Sequence, residues 1–171
     1  MTKLQQLYDE QGQSPWLDNL TRPYLRDGTL ARLVHNGVRG VTANPTILAR
    51  AIEGSDAYDD QFAALTAAGR STPDAYWDLV LDDIAEALGV LRVTFDASAG
   101  TDGFVSIEVA PELVRDTEAT IAAARRLHER IASAEPVRQD PGHRRRCAGH
   151  RGDDRGRAEH QHHADLFGGS L

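Results

Sequence analysis

Residues 37–54 read GVRGVTANPTILARAIEG, and the rest of the chain is read outward from this stretch. Residues 38–42 are a short run with three β-branched side chains, which predicts a strand. Asn44-Pro45-Thr46 turns the chain, because Asn-Pro pairs favour turns, and starts a helix over ILARAIEG. Strand, turn and helix in immediate succession form the unit of a parallel α/β sheet.

The flanks repeat the unit. Upstream, SPWLDNL is a short apolar run ending in an acid, which suits a buried strand. Thr21 and Arg22-Pro23 open a helix expected to run through LRDGTLARLVHNG, with Gly37 as its C-terminal cap. Before it, Thr2 caps a helix reaching Glu10. Downstream, DAYDDQFAALTAAG and DAYWDLVLDDIAEALGVLRVTFDAS read as helices, residues 100–103 as a turn, and FVSIEV (104–109) as a third strand. Residues 116–131, DTEATIAAARRLHERI, form an amphipathic helix with acids first and bases last, as the helix dipole favours. Short strands each followed by helix fit both a barrel and an open doubly wound sheet. No Gly-rich phosphate loop and no internal repeat is present in the sequence.

The totals narrow the function classes. The 171 residues suffice for one domain with a real core, and the net charge of −7 argues against a nucleic-acid protein. Cys147 is the one cysteine, so no intrachain disulfide forms and a reducing compartment is the default. No apolar run is long enough to cross a membrane, and the N-terminus lacks an apolar signal core. A cytoplasmic protein without a membrane partner is expected.

Each expected strand places a polar residue at or just after its C-terminal end: Asp18 after the first, Asn44 after the second and Glu108 in the third. That end holds the active site of α/β barrels. Each residue also has a plainer reading. Asp18 could cap a helix, Asn44 could only turn the chain, and Glu108 could face solvent.

Trp16-Leu17-Asp18-Asn19-Leu20-Thr21-Arg22, Gly37 through Thr46, Val105-Ser106-Ile107-Glu108-Val109 and Asp116-Thr117-Glu118-Ala119-Thr120 closely resemble bacterial transaldolases, in order and spacing, from about residue 7 to 131. The resemblance implies the first part of a TIM (β/α)8 barrel over residues 1–132. It implies transfer of a dihydroxyacetone unit from sedoheptulose 7-phosphate or fructose 6-phosphate to an aldose phosphate, within the pentose phosphate pathway. Sugar phosphates are the expected partners, and no metal or organic cofactor is needed. By resemblance, Asp18 takes the proton of the substrate hydroxyl during carbon–carbon cleavage. Glu108 acts as acid and base through a water. Asn44 holds the dihydroxyacetone hydroxyls, with Thr42 and Ser106 beside them. A lysine on the strand after the 116–131 helix forms the Schiff base. This chain has no lysine there, and Lys3 is its only one. The later elements that bind phosphate and close the barrel also have no counterpart.

From residue 133 the sequence changes character. EPVRQDPGHRRRCAGHRGDDRGRAEHQHHADLFGGSL contains no Ile, Met, Trp or Tyr, and a tail without regular structure is expected over 133–171. Its composition fits the same gene read out of frame. When the second and third bases of each codon are joined to the first base of the next, residues 133–141 permit Arg-Pro-Asn-Leu-Phe-Val-Lys-Ile-Pro. The shifted codon at Gln139 must be AAG or AGG, which encode Lys and Arg. The rival reading is functional. His143, Cys147, His150, His160, His162 and His163 match no common zinc spacing, and the Arg-rich segment has too little apolar content to build a packed site. Neither a metal nor a nucleic acid is expected.

Overall fold

The computed structural model describes residues 1–108, 115–134 and 164–166. Val109 of the expected third strand, and tail residues 135–163 and 167–171, lie outside the described residues. The elements are α1 (Lys3–Gln11), β1 (Trp16–Leu17), α2 (Arg22–Arg26), α3 (Thr29–His35), β2 (Gly40–Ala43), α4 (Pro45–Glu53), a 3-10 turn (Asp56–Tyr58), α5 (Asp59–Ala67), α6 (Thr72–Ala97), β3 (Val105–Ile107), α7 (Thr117–Ala134) and β4 (Ala164–Leu166).

The sheet order is β1-β2-β3-β4. β1, β2 and β3 run parallel, with Leu17 opposite Val41, Thr42 opposite Ser106 and Ala43 opposite Ile107. Side chains alternate across a strand, so the register sorts them onto two faces. Val41, Ala43, Val105 and Ile107 are buried in one apolar cluster with Val80, Ile84 and Leu91 of α6 and Leu127 and Ile131 of α7. The other face carries Gly40, Thr42, Asn44, Ser106 and Glu108. A doubly wound sheet is apolar on both faces, because helices cover both. The polar second face here departs from that pattern.

α6 is the longest helix, with 26 residues. Ser71 caps it by accepting from the Asp74 N–H at 3.3 Å. Its buried positions Ala75, Leu79, Val80, Ile84, Ala87 and Leu91 follow the helical repeat. Asp78 on its other side bridges Arg70 at 2.8 Å and Arg130 of α7.

Two expectations are corrected. The helix expected to run unbroken from Thr21 to Gly37 is split into α2 and α3 at Gly28, whose φ of 74° is left-handed. The Asp27 side chain accepts from the Thr29 N–H at 2.7 Å and restarts the helix. Gly37 does end α3, in a Schellman motif: Val38 N–H donates to the Leu33 carbonyl and Gly37 N–H to the Val34 carbonyl, both at 3.0 Å. The second correction concerns the tail. Ala164–Leu166, expected to lack regular structure, form β4 antiparallel to β3. This departs from an all-parallel arrangement. The physical reason is the unpaired row of N–H and C=O groups that β3 presents on that side, which a passing segment satisfies.

Candidate functional site

β1, β2 and β3 end at the same edge of the sheet, and the structure brings the polar residues of that edge into pairs. Asp18 directly follows β1 and is exposed. Thr42 in β2 donates its hydroxyl to Asp18 Oδ1 at 2.5 Å. Asn44 follows β2 and is the N-cap of α4, its Oδ1 accepting from the Thr46 N–H at 2.8 Å. Capping fixes the orientation of the amide, so its Nδ2 donates to Glu108 Oε2 at 3.0 Å. Glu108 directly follows β3 and is half-buried, its N–H donating to the Ala43 carbonyl at 3.4 Å. Ser106 lies opposite Thr42 and is only 6 % exposed.

All five residues singled out in the sequence therefore share one face and one end of the sheet. Four of their side chains have partners across strands: Asp18 with Thr42, and Asn44 with Glu108. The group offers two carboxylates, two hydroxyls and one amide, with the first turn of α4 adding partial positive charge. Such a set can hold a polyhydroxylated molecule and move protons at its hydroxyl or carbonyl oxygens. Among the described residues, no group of three or more His, Cys, Asp or Glu could hold a metal ion. The His and Cys positions of the tail lie outside the described residues. Among the described residues, no helix is long and apolar enough to cross a membrane.

Two layers of support escaped the sequence reading. Arg22, read only as a helix start, is 3 % exposed, and its Nε lies 2.7 Å from Asp83 Oδ1. Its guanidinium also sits 4.3 Å over the Tyr58 ring. Tyr58 donates its hydroxyl to Asp83 Oδ2 at 2.8 Å and accepts from the Arg22 N–H at 2.8 Å. Burial pushes the Asp83 carboxyl above its usual range, against the pull of Arg22 and Tyr58. Burial also raises the Tyr58 phenol. One signal was available: Asp83 interrupts the apolar run Leu79-Val80-Leu81 to Ile84, and an acid inside a buried stripe calls for a cation. The second support is Tyr76, whose hydroxyl donates to the Pro45 carbonyl at 3.1 Å.

The opposite end of the sheet is tied by a separate network. Trp16 Nε1 donates to Ser14 Oγ at 3.0 Å, and Ser14 donates to Asp102 at 2.9 Å. Arg39 pairs with the same Asp102 and lies 3.5 Å over the Tyr8 ring of α1. This network serves the packing of that end of the sheet, since barrel chemistry occurs at the other.

A family model described as transaldolase/fructose-6-phosphate aldolase matches residues 15–140. A transaldolase of Thiobacillus denitrificans is 48% identical over 117 residues, which are 68% of this chain and 33% of that protein. A transaldolase of Thermobifida fusca is 48% identical over 125 residues, covering 72% and 34%. Transaldolase 2 of Nostoc punctiforme is 43% identical over 132 residues, covering 77% and 35%. The chain spans about a third of the length of these curated relatives. With the strand-end residues in the order and spacing seen above, the chain belongs to the transaldolase/fructose-6-phosphate aldolase family, whose fold is the TIM barrel.

Proposed function

We propose that these residues are the ketose-handling half of a transaldolase site. In the complete reaction a lysine amine attacks the carbonyl of fructose 6-phosphate or sedoheptulose 7-phosphate and loses water to form a Schiff base. Asp18 takes the proton of the substrate hydroxyl as the adjacent carbon–carbon bond breaks. Glu108 moves protons through a water while the Schiff base forms and hydrolyses. Asn44, Thr42 and Ser106 hold the hydroxyls of the dihydroxyacetone unit. The pairing of Asp18 with Thr42 and Asn44 with Glu108, at one end of three parallel strands, carries this reading.

The chain has no Schiff-base lysine for turnover, and the second reading is a non-catalytic sugar-phosphate-binding fragment. Its only lysine, Lys3, begins α1, a helix fastened to the C-terminus of α3 by Gln5 Nε2 donating to the His35 carbonyl at 3.0 Å. That is the end of the sheet remote from Asp18 and Glu108. No lysine follows α7. A frame break just after residue 132 accounts for its loss, because the shifted frame permits a lysine opposite Gln139. On this reading residues 133–171 are out-of-frame sequence, and the pairing of Ala164–Leu166 with β3 is an edge contact and not a barrel strand. Borohydride reduction in the presence of fructose 6-phosphate tests the reading. The chain should bind the sugar phosphate and give no covalent adduct. A reduced adduct detected by mass would contradict it.

A further inference from the structure

We propose that α6 is a two-point tether for the strand-end site, with Tyr76 and Asp83 as positioning residues for Asn44 and Asp18. This rests on the functional reading above. Tyr76 and Asp83 are seven residues apart, two helical turns, so they project from the same side of α6. Each reaches the loop that follows a different site strand.

Tyr76 donates to the carbonyl of Pro45, the residue next to Asn44. That contact holds the first turn of α4, and the cap from Asn44 Oδ1 to Thr46 N–H then fixes which way the Asn44 amide points. Asp83 acts on the other loop. It takes Arg22 Nε and the Tyr58 hydroxyl, while the Leu79 carbonyl of α6 takes Arg22 Nη2 at 3.2 Å. The side chains of Arg22 and Asp83 are 4% and 2% exposed. Arg22 lies four residues beyond Asp18, so this pair closes the loop that begins at Asp18. The segment after β1 and the first turn of α4 are thereby both tied to one helix of 26 residues. Their common anchor holds Asp18 against Thr42 and Asn44 against Glu108.

The test uses the full chain labelled for NMR, with hydrogen exchange read residue by residue in Tyr76→Phe and Tyr58→Phe. Each change removes a hydroxyl and leaves the ring. In Tyr76→Phe, exchange at Thr46 N–H and Asn44 Nδ2–H should accelerate about five- to tenfold, the loss of one hydrogen bond. Arg22 N–H should keep its rate. In Tyr58→Phe the pattern should reverse: Arg22 N–H accelerates, the Asp18 carboxyl resonance moves, and Thr46 keeps its rate. Equal acceleration in both loops and at Ile84 in the core would mean that the hydroxyls serve general stability, and would overturn the proposal. Unchanged exchange at Thr46 in Tyr76→Phe would overturn it as well. The readout needs no sugar. A chain with the selective pattern that fails to bind fructose 6-phosphate would therefore sink the functional reading and leave the tether standing.

Discussion

Asn44 caps α4 with its side-chain oxygen and, through the nitrogen of the same amide, donates to Glu108 across 3.0 Å. One side chain thus starts a helix and orients a carboxylate on the neighbouring strand. The two jobs separate by substitution. Asn44→Ala should cost about 1–2 kcal/mol in urea unfolding, the usual loss of a cap. Asn44→Ser keeps a capping oxygen but has no donor that reaches Glu108, so it should cost less than about half of that. Both should move the Glu108 carboxyl resonance.

Gly40 starts β2 directly beneath the Trp16 indole. A Cβ at position 40 would lie 2.4 Å from Trp16 Cε2, and the ring is held by its bond to Ser14. Gly40→Ala should therefore destabilise by about 1–3 kcal/mol through overpacking. Gly89, exposed in the middle of α6, meets nothing within 4 Å. Gly89→Ala should stabilise by about 0.5–1 kcal/mol, from helix propensity and unfolded-chain entropy. Denaturation midpoints of the two variants should move in opposite directions.

Tyr58 gives stability a specific dependence on alkaline pH. Its phenol ionises above the ordinary value of 10.0, chiefly because burial disfavours the phenolate. The unfolded chain releases this proton near pH 10 while the folded chain keeps it, so the folded state binds more protons there. Its contribution is fully present below about pH 10 and is lost as pH rises beyond it. Urea midpoints should fall between pH 9 and pH 11, and the fall should be shallower in Tyr58→Phe. An identical slope in both proteins would contradict the assignment.

Arg22 and Asp83 form a buried pair whose breaking leaves one charge without a partner. Asp83→Ala should cost about 3–5 kcal/mol, since an isolated buried guanidinium is poorly solvated. The surface pair Arg92–Asp96, at i and i+4 on α6, is the contrast. Asp96→Ala should change stability by less than about 0.5 kcal/mol. Unfolding curves of the two variants measure the difference.

Much of the fold was legible because local signals agreed. The run Val38 to Thr42 and the Asn44-Pro45 turn marked a strand and a helix start, although β2 itself runs one to two residues later, Gly40–Ala43. Asp18, Asn44 and Glu108 stood out as candidates because each directly follows a strand, whereas Thr42 and Ser106, inside β2 and β3, came from the resemblance alone. Other features depended on tertiary contacts. Gly28 breaks the expected long helix through a left-handed φ that a helical hydrophobic pattern does not register. Arg22 and Asp83 are 61 positions apart, so neither could be read as half of a pair. β4 pairs with β3 because an edge needs a partner, and nothing in Ala164–Leu166 advertises a strand.

The central claim is that this chain carries the Asp, Asn and Glu of a transaldolase site and lost its Schiff-base lysine to a frame break. The nucleotide sequence around the codons for Ala132 to Glu135, with the bases downstream, tests it most directly. Removing a single base there should open a frame that places lysine opposite Gln139, continues with Ile-Pro-Ala-Thr, and runs well past Leu171 with further strand and helix patterns. Arginine at that position, or a stop within a few codons, would contradict the account and make residues 133–171 native sequence.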